Sequence, residues 1–455
     1  MNTPIADFVR GYKKQNMIRL HMPGHKGNLF LGCEAFDITE VCGADALYEA
    51  DGIIAESEAS ATRLFGTGRT VYSTEGSSQC IRAMLYLCMQ HSCSARQGMS
   101  DEYVVEVPKV LATRNVHKAF VYAAALLDLE VEWILPEGDM HSLCSCNVTP
   151  EVVEKRLQEM KNPPIAVYVT SPDYLGQELD IKGIADVCHK YGIILAVDNA
   201  HGAYLHFLNP SRHPIDMGAD ICCDSAHKTL PVLTGGAYLQ IHRKAPKSFA
   251  VNAKQAMALF GSTSPSYLTM TSLDLCNQYL ENGYVEKLYE TMERLQHLRE
   301  SLTNAGWKIE TTDPLKLTIR TPKGLTGTEL AENLRLISIE CEYADSEYVV
   351  LMATPENSED DYQKLQTALG KNELGYGEQI VFGKVSGEKE MSIRRAVFAE
   401  HEIIPVSLAV GRICGSPTVS CPPAIPVVIS GEVIDKEAVV ILEHYGIQTI
   451  EVVKE

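Results

Sequence analysis

The chain has 455 residues, 45% of them hydrophobic and 22% charged, with a formal charge of −19 and 14 cysteines; the length calls for two or three domains and the composition is that of an ordinary globular protein. Such acidity argues against nucleic acid or an anionic membrane as partner and suits a small cationic molecule. The start, Met-Asn-Thr-Pro-Ile-Ala-Asp-Phe, has no basic stretch followed by an apolar run, and no window approaches ~18 uninterrupted apolar residues, so a soluble, cytoplasmic protein is expected.

Pro4 to Gln15 reads as a short helix, stopped by the Pro-Gly turn of His-Met-Pro-Gly-His-Lys-Gly (21–27). His21 and His25 have the i, i+4 spacing of a metal pair, but Pro23-Gly24 forbids a regular helix between them. A loop bringing both imidazoles and Lys26 into a cleft is the expectation, with a solvated turn as the plain alternative. The cysteines show no Cys-x-x-Cys, and Cys144-Ser-Cys146 and Cys222-Cys223 read as buried thiols, so neither a disulfide framework nor a metal site is expected.

The short run Thr70 to Ser73 precedes Gly76-Ser77-Ser78 and a helix expected over Gln79 to His91. Backbone donors and hydroxyls at a helix start suit a phosphate; alone, the serines would be ordinary caps. Gly66-Thr-Gly68 lacks the third glycine of a dinucleotide fingerprint, and no Gly-x-x-x-x-Gly-Lys occurs. His117, in Thr113-Arg-Asn-Val-His-Lys118, opens another helical stretch.

From about Arg63 to Arg243, apolar runs alternate with helical spacing. Ile165 to Thr170 and Ile193 to Val197 read as buried strands around a helix with Ile181, Ile184, Ala185 and Cys188 on one face, which is a βαβ unit. Val131 to Leu135, Asp220 to Cys223 and Ala237 to Ile241 are similar runs, so the fold class is α/β, with a mainly parallel sheet covered by helices. Ligands of such sheets bind at the carboxyl ends of the strands. Asp198 follows one strand there, and Asp-Ser-Ala-His-Lys-Thr (224–229) follows another.

That pairing points to pyridoxal phosphate. The cofactor needs a lysine, here Lys228, to carry it as a Schiff base, and a carboxylate, here Asp198, to keep its pyridine nitrogen protonated. With both present, Gly76, Ser77 and Ser78 become a phosphate cup, His117 becomes a candidate to stack on the ring, and Ser225 and His227 become phosphate ligands. Either acidic or basic residue alone would read as a helix cap or a solvated side chain.

A leucine-rich helical segment, Leu273 to Ala305, closes the large domain. Leu315 to Arg320 and Tyr348 to Ala353 then read as strands flanking a helix near Thr328 to Arg335, and Asn357 to Lys389 as solvated helix and loop. Ser420 to Glu432 contains prolines that allow only an edge strand or extended arm. The expected division is an N-terminal arm and loop over 1–60, a large cofactor domain over 61–305, a small α/β domain over 306–370 and a C-terminal domain over 371–455.

Taken together, His21 to Gly27, Asp45-Ala-Leu-Tyr48, Gly52 to Glu56, Gly76-Ser-Ser78, Arg114 to Lys118, Asp198 to Gly202, Ser225 to Leu230, Ser262 to Tyr267, Pro422 to Pro426 and Gly431-Glu432 resemble the ornithine/lysine/arginine decarboxylase family in its shorter form, without an N-terminal wing domain. The resemblance covers nearly the whole chain. It implies the fold-type I, aspartate aminotransferase-like architecture with a smaller C-terminal α/β domain, and decarboxylation of a basic amino acid. It also implies that Lys228, Asp198, His117 and His227 take part in catalysis, that Ala200 and His201 lie under or beside the ring, and that Ser262 and Thr263 reach a neighbouring subunit's phosphate in a homodimer or higher oligomer. Glu75, where the family has Asn, and Cys421 and Ala424, in place of Tyr and Gly, depart from its pattern. Two other readings stay open: an aminotransferase, with Arg394 or Arg412 holding a substrate carboxylate, and a catalytically silent paralogue.

Overall fold

The computed structural model describes residues 1–455 except 98–106, 137, 139, 311–312, 371–373, 379–380, 383–384 and 418–424. The chain forms two compact units, residues 1–106, 165–168 and 181–285, and residues 107–164, 169–180 and 286–455. Seven strands belong to one large, mainly parallel sheet: β1 (Arg69–Ser73), β2 (Lys109–Thr113), β3 (Glu130–Ile134), β4 (Ala166–Thr170), β5 (Ile194–Asp198), β6 (Ile221–Asp224) and β7 (Ala237–Ile241). The fold is the expected α/β class.

In the first unit the order is β1-β7-β6-β5. β5 and β6 run parallel with Asp198 opposite Cys223, while β7 is antiparallel to β6 and to β1. β6 and β7 are buried at every position, as the continuous apolar runs require of strands covered on both faces. The helix Ile181–Lys190 buries Ile181, Ile184, Ala185 and Cys188, the face read from the sequence. Its outer face carries Lys182 and Asp186, an i, i+4 ion pair of 3.0 Å.

The helix Gly76–Gln97 lies against β6 and β7 and begins three residues before the expected start, so Gly76, Ser77 and Ser78 form its first turn. The N-terminal helix Pro4–Gln15 has the expected bounds, with proline at its first position, where no backbone donor is needed. It packs on the helix Tyr267–Glu281, where the Asp274 carboxylate accepts from the Ala6 N–H at 3.0 Å and from Ser57 Oγ at 2.5 Å. The single helix expected over Leu273 to Ala305 is in fact two, Tyr267–Glu281 and Tyr284–Asn304. They separate at Asn282-Gly283, where Gly283 takes a φ of 79° that an ordinary L-residue rarely adopts.

The second unit contains the parallel pair β2 and β3 and a four-stranded antiparallel sheet. The latter has the order β10-β11-β9-β8, from β8 (Lys308–Ile309), β9 (Lys316–Arg320), β10 (Tyr343–Ala344) and β11 (Tyr348–Met352). The helices Gly327–Leu336 and Glu359–Leu369 both start from capping boxes, Thr326 with Glu329 and Ser358 with Asp361. Leu334, Leu365, Trp307 and Ile319 join these elements into one apolar core. A final antiparallel pair joins β12 (His401–Pro405) to β13 (Thr449–Val453). Of the C-terminal proline-rich run, residues 418–424 lie outside the described residues, including Cys421 and Ala424. The remainder to Glu432 is loop held by isolated bridges rather than a strand.

Candidate active site

Because β5 and β6 are parallel neighbours, their carboxyl ends coincide, and both chemical candidates leave the sheet at that edge. Asp198 is the last residue of β5 and is 2% exposed. Ser225 follows β6 and starts the short helical turn Ala226–Thr229, which carries Lys228. The Lys228 N–H donates to Ser225 O at 3.0 Å, closing that turn.

Three donors converge on the Asp198 carboxylate: Tyr168 Oη at 3.2 Å, the Ala200 N–H at 3.2 Å and Cys223 Sγ at 3.5 Å. Burial, with Asp198 adding to it, pushes both the Tyr168 phenol and the Cys223 thiol well above their ordinary range, so both remain protonated donors. Among the described residues no lysine, arginine or histidine forms an ion pair with Asp198. A buried carboxylate without a cation is costly, and a pyridinium nitrogen is the kind of partner that would neutralise it.

On the same side, Lys228 Nζ lies 3.0 Å from His201 Nε2. Ala200 is 7% and His201 3% exposed, and both stand on the turn that follows Asp198. The first turn of Gly76–Gln97 contains no acidic residue. Ser225 Oγ donates to Ser77 Oγ at 2.8 Å, which brings the strand-end loop and the helix start together. Gly76 has a φ of 72°, and its N–H donates to Gly235 O at 2.7 Å. A Cβ on Gly235 would meet Thr74 O at 2.6 Å, so this close approach of two loops requires glycine there. Helix-start amides, Ser77, Ser78 and Ser225 suit a dianionic phosphate, and Asp198 with Lys228 suits the ring, so these residues fit pyridoxal phosphate.

Other candidates have different surroundings. His227 directs Nδ1 to Gly236 O at 3.1 Å. His117 belongs to the second unit, where its Nδ1 accepts from the Ala119 N–H at 3.1 Å and caps the helix Lys118–Leu126. Ser262 and Thr263 are exposed, and the Ser262 N–H donates to the Glu75 carboxylate, so that residue's charge is engaged by its own chain. His21 pairs with Tyr12 Oη at 2.7 Å and His25 with Asp37 at 3.1 Å, while Lys26 is exposed; the loop's imidazoles are held by their own segment.

Both arginines considered for an aminotransferase are committed elsewhere. Arg394 caps the end of the helix Lys118–Leu126 through Ala125 O and Leu126 O, at 2.9 and 3.2 Å. Arg412 binds Glu402 at 2.6 Å and Val453 O at 2.9 Å.

Sequence reading missed Tyr168 and Cys223 as partners of Asp198. Strand alternation in β4 and the β5/β6 register would have been needed to find them. It also missed a buried cluster of His213, Cys222 and Asp224, whose ligand-type atoms lie within 4.8 Å of one another. Asp224 already accepts hydrogen bonds from His213, Asn199 and Gln240, and burial pushes the Cys222 thiol well up, so the cluster is built as a hydrogen-bonded hub.

Comparison with known proteins agrees in family and fold. The family model described as "Orn/Lys/Arg decarboxylase, major domain" matches residues 3–318. An arginine decarboxylase of Bacillus subtilis is 28% identical over 96% of this chain and 92% of its own. The uncharacterized protein YaaO of the same organism is also 28% identical, over 96% of this chain and 93% of its own. Among solved structures, the constitutive lysine decarboxylase of Escherichia coli superposes with a TM-score of 0.77 at 16% identity, covering 100% of this chain and 82% of that one, a likeness of fold.

Proposed function

Since the chain belongs to the Orn/Lys/Arg decarboxylase family, we propose that it decarboxylates a basic L-amino acid with pyridoxal phosphate held on Lys228, arginine being the first substrate to test. The observation that carries this reading is the buried Asp198 carboxylate, which has no ion pair among the described residues and shares a sheet edge with the turn that carries Lys228. The name of the Bacillus subtilis relative favours arginine over lysine and ornithine.

When bound, the cofactor supplies an electron sink for the pair left as the Cα–carboxylate bond breaks and CO₂ departs. Asp198 holds a proton on the ring nitrogen, and its own donors, Tyr168, Cys223 and the Ala200 N–H, keep its oxygens in place. Ser77, Ser78 and Ser225 bind the phosphate at the helix start. Ala200 and His201, on the turn that follows Asp198, would flank the ring. Lys228 Nζ would return a proton to Cα, with His201, 3.0 Å away, or His227 as the relay.

The working unit of this proposal is a dimer in the cytoplasm, with Ser262 and Thr263 serving the neighbouring subunit. Support comes from the segment that follows the N-terminal helix. There Ile18, Leu20, Phe30 and Leu31 are 79–92% exposed, an apolar surface of the kind a second copy covers.

A panel of arginine, lysine and ornithine, read as CO₂ and amine product without added keto acid, tests the reaction. Amine from one of them supports the reading; consumption of substrate only with a keto-acid acceptor makes the enzyme an aminotransferase; no product from any, with cofactor bound, makes it silent.

A further inference from the structure

Asp224, the last residue of β6, is fully buried and stands at the centre of a cluster of polar side chains. Its Oδ1 accepts from Asn199 Nδ2 at 2.6 Å and its Oδ2 from Gln240 Nε2 at 3.0 Å. His213 Nε2 lies 3.1 and 3.2 Å from the two oxygens.

Two of these neighbours, Gln240 and His213, are oriented as donors by a second contact. Gln240 Oε1 accepts from Thr70 Oγ1 at 2.6 Å, which leaves its amide nitrogen for Asp224. His213 Nδ1 accepts from the Ile215 N–H at 3.3 Å, so the ring proton sits on Nε2. Among the described residues, three donors thus meet the side chain.

Of the three, Asn199 is the one that leads to the proposed cofactor. It follows Asp198 and precedes Ala200 and His201. Its N–H donates to Cys223 O at 3.0 Å, and its carbonyl accepts from the Gly202 N–H at 2.8 Å. A Cβ on Gly202 would fall 2.0 Å from Asn199 Oδ1, so the turn 198–202 closes tightly over that amide. Asn199 Nδ2 therefore fastens the turn to the buried hub, while His201 on the same turn meets Lys228 Nζ at 3.0 Å.

Resting on the reading that this edge binds pyridoxal phosphate, we infer that Asp224 is a positioning residue: through Asn199 it fixes the turn that presents Asp198 and His201 to the cofactor. Cys222 and Asp224 share one face of β6, and Cys223, on the other, meets Asp198, so the strand supports that turn from both sides.

The test is a double-mutant cycle on cofactor affinity, with Asp224→Asn, Asn199→Ala and the double variant, each shown to be folded at the assay temperature. Pyridoxal phosphate is titrated into cofactor-free protein and binding is read by absorbance. Each single variant is expected to bind at least tenfold more weakly, and the double variant no more weakly than the worse single, because both cut one tie. Parental affinity in Asn199→Ala, or losses that multiply in the double variant, would overturn the inference. If Asp224→Asn does not fold, Asn199→Ala alone decides, since it leaves Asp224 its bonds from Gln240 and His213: a tenfold loss supports the tie and parental affinity overturns it. A parent that fails to bind the cofactor is a separate result, which sinks the proposed function itself.

Discussion

Arg114 and Glu432, 318 positions apart, form a bidentate ion pair in the second unit, with Nη1 and Nη2 at 2.6 and 2.7 Å from the two carboxylate oxygens. Arg114 is 0% and Glu432 6% exposed. The guanidinium also lies 5.3 Å from the Trp133 ring, and Glu432 Oε2 accepts from the Ile429 N–H at 2.9 Å. The pair fastens the loop that carries His117 to the C-terminal segment, two stretches the sequence places far apart.

Removing one partner strands the other charge without water. Glu432→Gln should therefore destabilise the protein by about 3–5 kcal/mol, whereas replacing both residues, Arg114→Met with Glu432→Leu, should cost much less. Urea unfolding of the three variants measures this. A double variant as unstable as the single would show that packing, rather than the stranded charge, sets the cost.

Lys228 should be the residue that carries the cofactor. Borohydride reduction of the loaded protein followed by peptide mapping is expected to fix the pyridoxyl group on Lys228; recovery of the label on Lys118 or Lys26 would overturn the assignment.

Asp198→Asn should retain cofactor yet lose turnover by roughly a hundredfold or more, because a neutral amide cannot hold a proton on the ring nitrogen. Steady-state rates at saturating cofactor read the loss, and a near-parental rate would mean that another group does this work.

The legibility of these residues followed their spacing along the chain. Lys228, Asp198 and Gly76 to Ser78 stand at strand ends or a helix start within short motifs, so their types and order were enough to single them out. Tyr168, Cys223 and the Asp224 hub were hidden because their partners come from parallel register and from which face of a strand each residue takes, neither of which a local motif encodes. Leucine spacing that runs on across Asn282-Gly283 similarly masked a turn signal and merged two helices into one. Arg114 and Glu432 were visible as motif members, but nothing in either motif indicated that they meet.

Asp274 gives the first unit a pH dependence. Burial raises its carboxyl from 3.8 to about 6, outweighing the bonds from Ser57 and the Ala6 N–H. The folded state thus holds this proton more tightly than the unfolded chain does. Its contribution to stability is fully present below pH 3.8 and is lost as the pH rises through about 6. Against Asp274→Asn, which cannot titrate, the parent should gain in melting temperature as the pH falls from 7.5 toward 5 (approximate bounds of that window). A difference between the two that stays flat or shrinks toward acid would contradict this.

Shared active sites make the sharpest demand on the proposed dimer. Glu75 fastens Ser262 beside its own chain's helix start, so a site completed within one subunit is the competing arrangement. Lys228→Ala lacks the cofactor-bearing amine, and Thr263→Trp places a bulky ring where the neighbour's phosphate would be met. Each should be inactive alone. If the sites are shared, a mixed dimer contains one site with parental Lys228 from one chain and parental Thr263 from the other. Random mixing should then restore roughly a quarter of parental activity, half of the dimers being mixed and half of their sites intact. No recovery despite heterodimers demonstrated by differential tagging would assign Thr263 to its own subunit's site.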